Sequence, residues 1–200
     1  MKILIIGGNG TIGKKLTEYF KQNHEVLIAG RTSGDVTVDI SNSESIQSMF
    51  NKVGTVDAII CAAGEAKWKP FDELTEADYY IGFKSKLMGQ VNLVRIGQKY
   101  LSKSGSITLT TGILADAPVP MTASAAMVNG AIHSFVKAVI LELDGNIRVN
   151  VVSAGMVADA AEKYDAYFPG HNPIPMQKVV NGYRKSVEGR QTGEIIRIYN

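Results

Sequence analysis

With 200 residues, 45% of them apolar and 20% charged, the chain has the composition of a folded domain, not of a disordered tail or a disulfide scaffold. Its net charge of +2 comes from 21 basic and 19 acidic side chains. No basic run exceeds two residues (Lys14-Lys15, Arg184-Lys185), so no cationic face for nucleic acid is expected. The lone Cys61 cannot form an internal disulfide, which fits a reducing compartment. The apolar run near the amino terminus, Ile3-Leu4-Ile5-Ile6, is too short for a signal-peptide core, and no run approaches the ~18 apolar residues of a membrane span. A cytoplasmic location, no membrane partner and no metal site are expected. The 20 glycines, against 6 prolines and with no low-complexity tract, point to tight turns and close backbone approaches.

No boundary or repeat stands out, so a single domain over residues 1–200 is expected. Ile3-Leu4-Ile5-Ile6 reads as a buried strand ending at glycine. Residues 10–21 place Ile12, Leu16, Tyr19 and Phe20 at helical spacing. Val26-Leu27-Ile28-Ala29 is a second strand and Val36-Thr37-Val38 a third. A helix starts at Ser43, runs through Ile46, Met49 and Phe50, and has Asn42 or Ser41 as its cap. Ala58-Ile59-Ile60-Cys61 is a fourth strand, followed by helices near 75–83 and 86–101. Ile107-Thr108-Leu109-Thr110 is a fifth strand, and a long helix covers 123–143. Strands at 148–152 and 194–198 complete the set. Strands alternating with helices predict a three-layer α/β fold: a doubly wound, mostly parallel seven-stranded sheet with helices on both faces. Its ligand site is expected at the carboxyl ends of the strands. One link is odd. Between Arg31 and Val36 there is no room for a crossover helix, so either that crossover is a bare loop or the third strand is misassigned.

The turn Ile6-Gly7-Gly8-Asn9-Gly10-Thr11-Ile12-Gly13 joins the first strand to the first helix. Glycines at 7, 10 and 13 suit a dinucleotide site. The first makes the turn, the second lets backbone approach a pyrophosphate, and the third lets helix pack on strand. Free N–H groups of Thr11 and Ile12 would meet the anion, with Asn9 beside them. The second strand ends in Ala29-Gly30-Arg31-Thr32-Ser33, with no carboxylate to hold a ribose 2′-hydroxyl. Arg31, with the hydroxyls of Thr32 and Ser33, suits a 2′-phosphate instead, so NADP(H) is favoured over NAD(H).

On these residues the chain resembles the short-chain dehydrogenase/reductase family over nearly its whole length. The glycine turn is similar to the family's TGxxxGxG, with Gly7 in place of threonine. Val38-Asp39-Ile40-Ser41 resembles the segment that contacts adenine, which implies Asp39 and Ile40 as contacts. Cys61-Ala62-Ala63-Gly64 resembles Asn-Asn-Ala-Gly and implies Ala62, Ala63 and Gly64 at the cofactor. Asn150-Val151-Val152-Ser153-Ala154-Gly155 and Gln191-Thr192-Gly193-Glu194 resemble the later family motifs.

The resemblance implies a Rossmann fold, a nicotinamide cofactor and a Ser-Tyr-Lys site aided by an asparagine. Thr111 falls at the serine position and retains a hydroxyl for a substrate carbonyl. The Tyr-x-x-x-Lys motif falls on Ala125 and Asn129, and residues 115–135 contain neither tyrosine nor lysine. The family asparagine falls on Lys86. Alanine cannot deliver the proton that accompanies hydride transfer, and general acid–base help is worth roughly 10²–10⁴ in rate. Lys86 is one candidate substitute. His133, Tyr164, Tyr167 and His171 are others, each with packing as the alternative role. The reading is therefore an oxidoreductase with a depleted site, or a nucleotide-binding sensor or partner subunit without turnover. The 123–143 helix is apolar on more than one face, apart from a stripe of Asn129, His133 and Lys137. A homodimer or homotetramer through the 86–101 and 123–143 helices is expected; a monomer covered by the carboxyl-terminal segment is the alternative.

Overall fold

A computed structural model describes residues 1–143 and 146–199. Seven parallel strands form one sheet in the order β3-β2-β1-β4-β5-β6-β7. They are β1 (Lys2–Ile6), β2 (Glu25–Gly30), β3 (Val36–Thr37), β4 (Val56–Cys61), β5 (Leu101–Gly112), β6 (Arg148–Ala154) and β7 (Ile195–Ile198). The helices are α1 (Thr11–Phe20), α2 (Ser43–Val53), α3 (Glu76–Gly82), α4 (Gly89–Gly97), α5 (Ala123–Val139), the short α6 (Ala161–Tyr164) and α7 (Met176–Glu188). The alternation of side chains along each strand sorts them between two cores. Ile3 and Ile5 of β1 pack with Leu16 and Phe20 of α1 and Val179 and Tyr183 of α7. Leu4 and Ile6 pack against Phe50 of α2, Leu93 of α4 and Ile132 of α5. This is the doubly wound, three-layer α/β fold that the sequence predicts.

The odd link is a bare loop. Residues 31–35 turn the chain back so that Val36 pairs with Ala29. Asp35 holds the loop: its carboxylate accepts from the Ile28 amide (2.8 Å) and its own amide donates to the Ile28 carbonyl (2.8 Å). Asn42 caps α2, with its side chain accepting from Glu44 and Ser45 amides.

Three boundaries differ from the sequence reading. The helices expected at 75–83 and 86–101 are one run over 76–97, with a π turn at Phe83–Met88 joining α3 to α4. A 3₁₀ turn at Gln98–Tyr100 ends it, and residue 101 already belongs to β5. α5 stops at Val139 instead of 143. Asn129 and His133 are buried, while Met127 is 41% exposed.

α7 was not expected, although Met176, Val179, Val180, Tyr183 and Val187 show clear helical spacing. It matters to the site because Tyr183, fully buried, bonds the Thr110 hydroxyl (2.6 Å), which in turn bonds the Cys61 carbonyl. This chain of bonds ties α7 to the ends of β5 and β4. Tyr183→Phe should lower unfolding stability by about 1 kcal/mol. Denaturant titration checks this; an unchanged midpoint would show that the buried hydroxyl contributes nothing.

Candidate functional site

The chain leaves β1 toward the α1 face and leaves β4 toward the α4–α5 face, so a cleft opens between their carboxyl ends. Gly7 turns the chain at φ +81°, and a Cβ there would sit 2.8 Å from the Ala62 carbonyl oxygen. A Cβ on Gly13 would land on the Gly7 carbonyl oxygen. The Gly7 amide bonds Ala29 O (2.7 Å), and the Gly10 amide bonds Gly7 O (3.0 Å). Gly10 caps α1 without a side chain, and no acid occupies the first turn. The positive end of α1 therefore faces the cleft with its amides free of side-chain acceptors.

Two cavities share this cleft. The smaller, about 240 Å³, is lined by Gly7, Arg31, Ile40, Ala63, Gly64 and Glu65. Arg31 Nη2 donates to Glu65 Oε1 (2.9 Å), and both side chains are largely exposed. Asn9 Nδ2 donates to Ser33 Oγ (2.9 Å), which joins the glycine turn to the 31–35 loop. The Asp39 carboxyl is held below its ordinary pKa, chiefly by the Ser41 hydroxyl (2.7 Å) and then the Ser41 amide (3.0 Å). Thr11 and Thr32 are exposed.

The larger cavity, about 780 Å³, borders the smaller at Ala63, Gly64 and Glu65. Thr111 and Gly112 line it, as do Lys86, Ala125 and Asn129, together with Ile12 and Ala62 nearer the glycine turn. Trp68, Tyr164 and Tyr167 form an aromatic wall. Lys86 sits in the π turn, a local widening that is frequent at functional sites. It packs against Gly64, where a Cβ would meet Lys86 Cα at 3.0 Å. Burial pushes the Lys86 ammonium below its ordinary pKa, opposed weakly by Cys61. Among the described residues, buried Asn129 has an Oδ1 without a hydrogen-bond partner. Gln90 donates to the Thr110 carbonyl (2.9 Å) and accepts from its amide (2.7 Å), fixing the strand just before Thr111.

Thr111 Oγ1 lies 2.7 Å from His133 Nε2. Burial lowers the imidazole pKa, against the pull of Asp116. Asp116 accepts two bonds from Arg197 (2.9 and 3.1 Å) and one from the Tyr199 hydroxyl (2.6 Å). Ser153 Oγ completes the network at 2.6 Å from Tyr199. The Arg197 bonds first, then Tyr199, hold the Asp116 carboxyl at about 2. Burial first, and then the bond to Asp116, push Tyr199 up to about 12.

The structure thus brings Gly7, Arg31, Ile40, Ala63 and Gly64 to one cavity, and Ile12, Ala62, Lys86 and Thr111 to the other. Asn9, Gly10, Thr11, Gly13, Thr32, Ser33 and Asp39 line neither; Asn9, Gly10, Gly13 and Ser33 shape the surrounding turn and loop. His171 packs its ring against Phe168 and lines neither cavity. Glu65, Trp68, Gln90 and Asp116 were missed. Each meets its partner across a long stretch of chain, and only Glu65-Ala66 directly after the Ala-Ala-Gly motif carries a local hint.

A family profile described as Enoyl-(Acyl carrier protein) reductase matches residues 9–180. The chain belongs to the short-chain dehydrogenase/reductase family. Among solved structures of that fold, it is similar to the protein lin1944 from Listeria innocua, at 46% identity and TM-score 0.97, with all of both chains covered. A small-chain dehydrogenase crystallised with NADPH is 27% identical at TM-score 0.88, covering 100% of this chain and 96% of that one. A hydroxynaphthalene reductase-like protein, Arp2, of Metarhizium guizhouense is 25% identical over 169 residues, which is 79% of this chain. The chain spans 62% of that relative's length. Among the described residues, no helix is long and apolar enough to cross a membrane.

The Asp116 network gives this family member a defined acid response. The folded carboxyl ionises at about 2, against an ordinary 3.8. The unfolded chain therefore takes up that proton first. The network's stabilisation is complete above the ordinary value and is lost as pH falls through about 2. Asp116→Asn should flatten melting temperature across that window and lower it at neutral pH. Matching acid slopes for the two proteins would show that Asp116 carries no such linkage.

Proposed function

We propose that the chain is a single-domain, cytoplasmic NADP(H)-dependent oxidoreductase acting on a carbonyl or alcohol, with Lys86 and Thr111 serving where the family's tyrosine and lysine are replaced by Ala125 and Asn129. The observation that carries the reading is the cradle at α1. Gly7 and Gly13 leave no room for side chains there, and uncapped amides face a cleft edged by Arg31. A pyrophosphate fits such a cradle.

In this reading Gly7, Gly10, Thr11, Ile12 and Gly13 hold the pyrophosphate, with Asn9 fixing the turn. Asp39, Ile40, Ala62, Ala63 and Gly64 border the adenosine and ribose. Arg31 exchanges Glu65 for the 2′-phosphate, aided by Thr32 and Ser33. The present ion pair is solvent-exposed, so giving it up costs little. The bound nicotinamide supplies or accepts the hydride. Lys86 gives the substrate oxygen its proton, and its burial makes it a stronger acid than a free lysine. His133 orients the Thr111 hydroxyl toward the same oxygen when its Nε2 carries the proton. Asn129 offers an amide to the ribose. Two copies pair through the 76–97 run and α5, whose outer face exposes Tyr80 and Met127.

A second reading keeps the nucleotide and drops turnover. It is favoured by Ala125, which offers no proton on the cavity wall.

Calorimetric titration should show NADPH binding more tightly than NADH by roughly 1.5–3 kcal/mol, the worth of a charge-assisted contact. Arg31→Ala should erase the difference. If neither nucleotide binds at millimolar levels, the proposal falls. Against a panel of carbonyls, NADPH consumption should slow as pH rises through the lowered Lys86 pKa. Lys86→Gln should cost roughly 10²–10⁴ in kcat. Turnover that survives both Lys86→Ala and Thr111→Ala would remove these residues from the chemistry, and binding without turnover would favour the second reading.

A further inference from the structure

The larger cavity carries more information than the chemistry above uses. Two segments far apart in sequence build its outer wall. Lys67 and Trp68 come from the loop after β4; Lys163, Tyr164 and Tyr167 come from the segment after β6. The aromatic rings are set against one another. Trp68 lies 5.4 Å from the Tyr164 ring centroid at 42°, and 5.6 Å from that of Tyr167 at 87°. Rings at these separations pack on one another and together present one aromatic surface to the cavity. Lys163 Nζ stands 5.0 Å from the Tyr164 ring centroid.

The charge balance of the lining is one-sided. Lys67, Lys86 and Lys163 line the cavity, and none of them has an ion pair among the described residues. Lys69, the next basic residue along the loop, is already paired with Asp78 (3.1 Å). Glu65 is the lining's one carboxylate, set against three lysines. A cavity lined by three lysines and one carboxylate favours a ligand that brings negative charge.

We propose that this cavity selects a planar, aromatic or conjugated compound bearing an anionic group, carboxylate or phosphate, which Lys67 and Lys163 recognise at the rim while its flat body lies along Trp68, Tyr164 and Tyr167. The oxidoreductase reading enters only in calling that compound the substrate and placing its oxygen near Lys86 and Thr111. The preference for a flat anion belongs to the cavity wall and stands without turnover.

Trp68 is the single tryptophan of the chain, so its emission reports this wall directly. The experiment titrates the intact protein, with and without saturating NADP⁺, using benzoylformate, its methyl ester and phenyl phosphate. Benzoylformate should change Trp68 emission saturably, and the uncharged ester should bind about tenfold more weakly, the loss of one charge-assisted contact. Lys67→Gln combined with Lys163→Gln should bring acid and ester to equal affinity while leaving the melting temperature unchanged. Lys99→Gln, outside the cavity, should leave the preference intact. Phenyl phosphate binding as well as benzoylformate, or better, supports the proposal with phosphate as the preferred anion. Equal binding of acid and ester to the unmodified protein would overturn it. So would a preference that persists in the double variant, or no response to any probe. If nucleotides fail to bind but the anion preference appears, the oxidoreductase reading falls and this one stands.

Discussion

The carbonyl oxygen of Gly7 occupies the place where a side chain at residue 13 would begin. That contact sets how closely α1 approaches the end of β1, and much of the cleft follows from it. Because α1 sits so near, its first amides have no side chain between them and the cleft. The same turn presses the residue 7 backbone against Ala62 at the end of β4, so the two central strands part company where the cavities open. An added methyl at either glycine would push apart the elements whose proximity makes the site, so the constraint is steric before it is electrostatic.

Around that fixed turn, the polar groups of the larger cavity are held from behind by buried bonds. Gln90 replaces the ladder partners that Thr110 lacks beyond the β4 pairing, which ends at Thr108. Thr111 is bonded to His133, and Asp116 faces His133 from within its own net of Arg197 and Tyr199. By contrast, Lys86 and Asn129 line the cavity, and the Lys86 ammonium has no ion pair among the described residues. The paired groups fix the frame of the cavity.

The fold and the glycine turn at the cleft were legible because their signals are local. β-branched runs ending at glycine give strands, and the spacing of Gly7, Gly10 and Gly13 gives the turn. The short 31–35 link was correctly suspect, and the Asp35 bonds that let parallel strands do without a helix explain how it works. The π turn was hidden because both flanking stretches look helical, and a widened turn changes only which residues face inward. The sequence shows Asn129 and His133 as a narrow polar stripe on an apolar helix, but not which way that stripe points. Here it faces the cavity and the Thr111 strand end. The Asp116–Arg197 and Arg31–Glu65 pairs join residues 81 and 34 positions apart, a separation that no periodicity encodes.

The missing crossover helix also shapes how the sheet moves. Three consecutive residues of β2, Val26 to Ile28, are only half-buried, and β3 beyond it is two residues long. β1 and β4, by contrast, are almost wholly buried. Few apolar contacts and a short ladder mean that the amides of this edge exchange with solvent through local opening, well before the central strands release theirs. Arg31 and the wall of the smaller cavity are built on that yielding edge. A ligand gripped there quiets the fluctuations of the sheet margin, and part of its binding free energy goes into that ordering instead of appearing as affinity.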